Sequence, residues 1–204
     1  MSSAVKFLTG LVVFTIVLRV MPYVLTEYNL NVTSTTLFYP WNFVPLTAAC
    51  LYSGAYVSDR RFRIGLPLLA LLISDLGIWG VTGQFAWAFP PDRWAAYVCL
   101  MLTILMGTGL ARRTWPSRSL DAFARGMSAE AMFFIVTNFA YFLVQNDLPH
   151  NVQGLLTCYL AGIPFAGKSF ASTAIFSILL FSPLAVPETS PAKKLAPQTE
   201  SALS

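Results

Sequence analysis

Charge is scarce in this chain. Only 11% of its 204 residues are Asp, Glu, Lys or Arg, against about 25% in an ordinary soluble domain. Histidine is scarcer: His150 is the single one, beside Pro149 in a polar stretch that reads as a solvated loop. The three cysteines, Cys50, Cys99 and Cys158, lie far apart in apolar runs and read as buried structural thiols. There is no C-x-x-C pair, no H-E-x-x-H, no G-x-S-x-G and no paired carboxylates. The expectation is therefore no enzyme, no metal and no cofactor.

One motif must be set aside. Residues 161–169, A-G-I-P-F-A-G-K-S, formally match the phosphate-binding pattern G-x-x-x-x-G-K-[ST]. That loop needs a preceding parallel strand and open backbone around the phosphates. Neither is present, because no strand precedes the match and Pro164 and Phe165 crowd it.

What is abundant is apolar sequence, 56% of the chain, gathered into runs. Residues 41–80 set the pattern: two apolar runs flank the basic turn Ser58-Asp59-Arg60-Arg61-Phe62-Arg63. A bilayer core takes a helix of about 20 residues, with about 17 as a lower limit. Lys and Arg next to spanning segments stay on the cytoplasmic side. The pair is expected to be a helical hairpin with its tip in the cytoplasm.

The same logic along the chain predicts an all-α polytopic membrane protein. Six transmembrane helices are expected near 7–25, 41–57, 64–80, 95–111, 128–144 and 169–186, forming one domain over 1–186. Arg19, Met21, Pro22 and Tyr23 stand where a signal peptide would have small residues, so the first helix is expected to be retained. Residues 154–165 are apolar but only 12 long, which predicts an interfacial or re-entrant segment between helices five and six. Pro67 is expected in the first turn of its helix, and Ser128 and Glu130 as a cap and first-turn acid of theirs. Residues 187–204, rich in Pro, Ser, Thr, Ala and Lys, are expected to be a disordered cytoplasmic tail.

With the N-terminus inside, Lys6, Arg60, Arg61, Arg63, Arg112, Arg113, Arg118, Arg125, Lys193 and Lys194 are cytoplasmic, ten of the thirteen bases. Both termini are then inside. The net charge of +4 thus reads as a topology signal, not as a nucleic-acid surface.

Polar residues at membrane depth gather toward the outer half. Asp75 costs roughly 2.5–3.5 kcal/mol on insertion scales, so it should face protein or water. It reads as a ligand contact, a proton relay or a partner of Arg19; the bland alternative is a cap on a helix end near Gly77 and Gly80. Arg19 reads as snorkelling, as pairing with an internal acid, or as meeting an anionic ligand. Asn138, Tyr141 and Gln145 share one helix face. With Asn42, Trp79, Thr157 and Tyr159 they could line an outward-opening pocket. Against this, Asn between membrane helices is often packing glue, and Trp79 is as well explained as an interface anchor. Small residues four apart, Ala49 with Ser53 and Cys50 with Gly54, and the face Ser169, Thr173, Ser177, mark seams of close helix approach.

Several of these residues carry a resemblance. Arg19-x-x-Pro22, Asn42-Phe43-x-Pro45, Gly54-Ala55-Tyr56, Arg60-Arg61, Pro67 and Ser74-Asp75-Leu76 resemble a widespread bacterial family of small membrane proteins. So do Phe133-Phe134-x-x-Thr137-Asn138-Phe139 and Gly154-Leu155-x-x-Cys158-Tyr159-x-x-x-Ile163-Pro164-Phe165. That family carries a domain-of-unknown-function label and is described as a transport protein; the likeness spans residues 19–182. A looser likeness, at the level of fold, is to the substrate-binding subunits of energy-coupling-factor vitamin transporters. It implies an outward pocket and an energising transporter module as partner. Residues 7–25 depart from it, lacking the alanines on which such a partner docks.

The function these readings predict is binding of a small solute in an outward-facing pocket, as part of its uptake. Asp75, Asn138, Arg19, Asn42, Tyr141, Trp79, Thr157 and Tyr159 are its candidate contacts. The partners expected are the lipid bilayer, the solute and an energising module or other membrane subunit. The second reading is a structural subunit of a membrane complex, with the small-residue seams facing its partner.

Overall fold

The computed structural model describes residues 2–28 and 42–185, all of it helix, turn or irregular chain with no strand among the described residues. Helix α1 (Ser3–Glu27) is followed by α2 (Leu46–Tyr56), α3 (Arg60–Thr82) and the one-turn α4 (Phe85–Ala88). Then come α5 (Arg93–Met106), a 3-10 turn (Leu110–Arg112), α6 (Ser117–Val144) and α7 (Val152–Leu180). Five segments are long and apolar enough to cross a membrane: Ser3–Glu27, Arg60–Thr82, Phe85–Arg112, Ser117–Val144 and Val152–Leu180. Their outer faces are apolar. Leu69, Ile73 and Leu76 on α3 are exposed, as are Val98, Leu102 and Leu105 on α5 and Leu156, Leu160 and Ile163 on α7. Each set falls at i, i+4, i+7, one stripe of a helix.

Helix α2 is the exception and the centre. At 11 residues it is about 16 Å long, half of a bilayer core of about 30 Å. Every residue from Thr47 to Gly54 is buried, and α2 touches α1, α3, α5, α6 and α7. The run over 41–57 was expected to span as one helix. Its first part does not coil, because Asn42 takes a left-handed φ of 63° and Pro45 holds the residue before it away from the helical region. Trp41 lies outside the described residues, as do most of the loop before it and the expected tail.

The seams of small residues work inside the protein. A Cβ on Gly54 would stand 1.9 Å from the Ile104 carbonyl oxygen, and one on Gly107 would stand 2.2 Å from that of Leu51. So α2 and α5 meet backbone to backbone. A Cβ on Gly126 of α6 would stand 2.7 Å from Ser177 Oγ of α7.

Other boundaries moved for local reasons. Helix α3 starts at Arg60, where the Asp59 side chain accepts from the Arg61 N–H at 2.8 Å, so Pro67 is in its interior, not its first turn. Pro67 has no N–H for the Arg63 carbonyl four residues back. Ser53 Oγ of α2 donates to that carbonyl at 2.6 Å instead. Helix α6 begins at Ser117, well before the expected 128, and Asp121 and Arg125 pair across one of its turns at 2.9 Å. Ser128 therefore caps nothing; its Oγ donates back to Ala124 O at 3.0 Å. The short segment 154–165 and the run from Ser169 are one continuous 29-residue helix, α7. Neither a re-entrant turn nor a phosphate loop exists there, since residues 161–169 are helical throughout.

Arginines near the basic turns also hold helix ends. Arg118 Nε and Ser119 Oγ donate to the Phe181 carbonyl at 2.9 and 3.0 Å, just past the end of α7. Arg125 donates to the Met106 and Thr108 carbonyls at 2.7 and 2.9 Å, at the end of α5. Cations suit the carbonyl ends of helices.

Candidate functional site

Among the described residues, two polar clusters within the apolar helices are each built on a buried carboxylate, Asp75 and Glu130. In the first, α1, α3 and α5 converge. Asp75 is fully buried, and its carboxylate faces two guanidinium groups. Arg19 Nη2 donates to Asp75 Oδ1 at 3.0 Å and Nη1 donates to Ser74 Oγ at 2.8 Å. Ser74 passes the chain on, its Oγ donating to the Ala70 and Leu71 carbonyls at 2.7 and 2.8 Å. The Arg93 contact is looser. Its Nε lies 3.4 Å from Asp75 Oδ2 but donates to the Ala88 carbonyl at 3.0 Å. Oδ2 accepts no hydrogen bond from the described residues, so Arg93 is an ionic neighbour and Arg19 the hydrogen-bonded partner.

The second cluster joins α2, α6 and α7 around Glu130, which is 4% exposed. Its Oε1 accepts from Thr47 Oγ1 at 2.5 Å and from Thr173 Oγ1 at 2.6 Å. Its Oε2 accepts from Ser169 Oγ at 2.8 Å. Thr47 belongs to the first turn of α2, so the partial positive charge at that helix start also favours the carboxylate. By the helical rise of about 1.5 Å per residue, Asp75 lies about 10 Å from the Thr82 end of α3. Glu130 lies about 21 Å from the Val144 end of α6, near the middle of that 28-residue helix.

Between the clusters is a cavity of about 330 Å³. Arg19 and Arg93 stand on its wall, and so do Glu130, Thr47 and Ser169. Phe133, Phe134, Phe165 and Phe170 supply much of the rest, with Asn42 and Asn138 as further polar groups. A few placed polar groups in an apolar, aromatic wall is the usual make-up of a small-molecule site. A second cavity of about 310 Å³ shares Asn138, Gly162 and Phe165 with the first. Those residues partition the two. Asn138 is fixed there, its Nδ2 donating to Phe134 O at 2.8 Å, and a Cβ on Gly162 would stand 2.6 Å from its Oδ1.

The residues singled out from the sequence are distributed as follows. Arg19, Asn42 and Asn138 line the larger cavity. Asp75 does not line it; it sits behind Arg19 and Arg93 and holds them. Tyr141 and Thr157 line the second cavity, where Tyr141 Oη donates to Asp147 Oδ2 at 2.5 Å. Trp79 points outward, 43% exposed, with its ring edge-on to Phe85 at 5.4 Å. Tyr159 lines neither cavity; it donates to the Ile135 carbonyl at 2.9 Å. Two residues of the site were missed. Arg93 was not singled out, and Glu130 read as a helix-start acid. The signal for Glu130 was the Ser169 and Thr173 pair four residues apart, hydroxyls on one helix face that can donate to an acceptor on a facing helix. The three cysteines are free and buried, and no metal-ligating cluster occurs among the described residues.

A protein-family model matches residues 1–195, and its description is that of a family of unknown function. No curated protein and no solved structure matches the chain.

Proposed function

Starting from a chain that belongs to the DUF6580 family, whose function is unassigned, we propose that it binds a small solute in the cavity between Arg19, Arg93 and Glu130 and takes part in its uptake. The observation that carries this reading is the composition of the cavity wall. Charged groups inside a membrane protein are costly, and they face the protein interior or a water-filled path when they serve a ligand. Here three of them border one space of about 330 Å³ with aromatic walls. The half-length helix α2, starting at membrane depth beside that space, fits the same reading, since interrupted helices form solute sites in transporters. The basic turns support a reading in which both termini lie in the cytoplasm of a bacterial inner membrane and the cavity opens outward.

The scaffold reading loses its main support. The seams that would face a partner are occupied internally, Gly54 by α5 and Ser177 by α6.

Native mass spectrometry of the protein extracted in mild detergent tests the proposal. Wild type should retain a small adduct, and Arg93→Gln should lose it while staying folded. An adduct-free wild type that holds a stoichiometric protein partner would favour the scaffold.

A further inference from the structure

Charge accounting around the cavity goes further, resting on the solute-binding reading above. At one pole two guanidiniums share a single carboxylate, that of Asp75. The surplus is one positive charge, and it is placed to be used. Among the described residues the two terminal nitrogens of Arg93 donate to nothing, because its only hydrogen bond is made by Nε. At the other pole Glu130 has no Lys, Arg or His nitrogen within ion-pair distance among the described residues. Its partners are three neutral hydroxyls. A carboxylate oxygen accepts about two hydrogen bonds. Oε1 has two and Oε2 has one, which leaves one acceptor site on Oε2.

We propose that the solute is a zwitterion with an apolar, ring-sized body between its charges. Its carboxylate meets Arg93 and Arg19, and its ammonium meets Glu130. Each end then completes a charge pair that the protein leaves open, in a medium where unpaired charge is expensive. The aromatic wall of Phe133, Phe134, Phe165 and Phe170 lies along the body. Arg19, Arg93 and Glu130 line one cavity, yet no arginine nitrogen is within ion-pair distance of Glu130, which favours charges held apart across a spacer over charges on one carbon.

Three probes of one shape decide it. Para-aminomethylbenzoate carries both charges, para-methylbenzoate only the negative and para-methylbenzylamine only the positive. Binding to the full chain in lipid nanodiscs is measured by calorimetry or by stabilisation against heat. The zwitterion should bind wild type about tenfold or more tightly than either half, the difference a charge-assisted contact supplies. Glu130→Gln should remove its advantage over para-methylbenzoate. If wild type takes para-methylbenzoate as well as the zwitterion, the Glu130 pole is overturned and the solute reading stands. If para-methylbenzylamine binds best, the arginine pole is overturned. If none binds, the zwitterion class is overturned, and the adduct experiment judges the solute reading separately. The wild-type comparison decides even if Glu130→Gln fails to fold.

Discussion

Asp75→Ala should lower the stability of the protein by about 3–5 kcal/mol, the usual loss when one partner of a buried ion pair is removed. Two guanidiniums, only 15% and 23% exposed, would keep their charge and lose the carboxylate between them. Arg19 would still have Ser74, a neutral acceptor; Arg93 would keep only the Ala88 carbonyl. For a chain of this size the loss corresponds to a fall of roughly 6–20 °C in Tm. Asp75→Asn should fall between, since an amide oxygen can still accept from Arg19. Adding Arg19→Gln to the alanine variant should recover part of the loss, because it removes one of the stranded charges. Thermal denaturation in mild detergent measures all of these. An alanine variant as stable as wild type would mean that the cluster does not hold α1, α3 and α5 together.

Gly54→Ala should cost about 3 kcal/mol or more, at the upper end for forced overpacking. The added methyl carbon would stand 1.9 Å from the Ile104 carbonyl oxygen and 3.1 Å from Gly107 Cα. Both obstacles are backbone, so no rotamer change relieves the clash and α2 must move off α5. Because α2 is the buried centre of the bundle, the shift reaches α1, α3, α6 and α7 as well. Gly10→Ala is the control. That glycine has nothing within 4 Å of its would-be Cβ, and alanine is the better helix former. It should leave Tm unchanged or raise it slightly. Equal effects at the two positions would contradict the close approach of α2 and α5.

Much of the architecture follows from run length and charge placement. The apolar runs are long because lipid leaves a helix few alternatives, and the basic turns between them are short and unmistakable. What those signals could not convey is which apolar run faces protein on all sides. Residues 47–54 read like a spanning helix because burial in protein and burial in lipid favour the same side chains. Only Pro45 hinted at the late start. The charged stretch before residue 128 read as a loop, yet its ion pair Asp121–Arg125 supports a helix outside the apolar span.

The site was legible in part for a related reason. An ionised group in an apolar run stands out, so Arg19 and Asp75 were marked and their pairing was one of the alternatives. Glu130 and Arg93 sat at the edges of apolar runs, where charge is ordinary. Their role appears only when the facing helices are known. Trp79 and Tyr159 were grouped with the pocket by proximity in sequence, and helix rotation turns both away from it.

The central claim is that the cavity opens to the side of the membrane opposite the basic turns. Labelling with a membrane-impermeant thiol reagent tests it most directly, using Asn138→Cys in a background with Cys50, Cys99 and Cys158 replaced by serine or alanine. Position 138 borders both cavities. The account predicts labelling in right-side-out vesicles and little labelling in inside-out vesicles. Labelling from the cytoplasmic side alone, or from neither side in a folded protein, would contradict it.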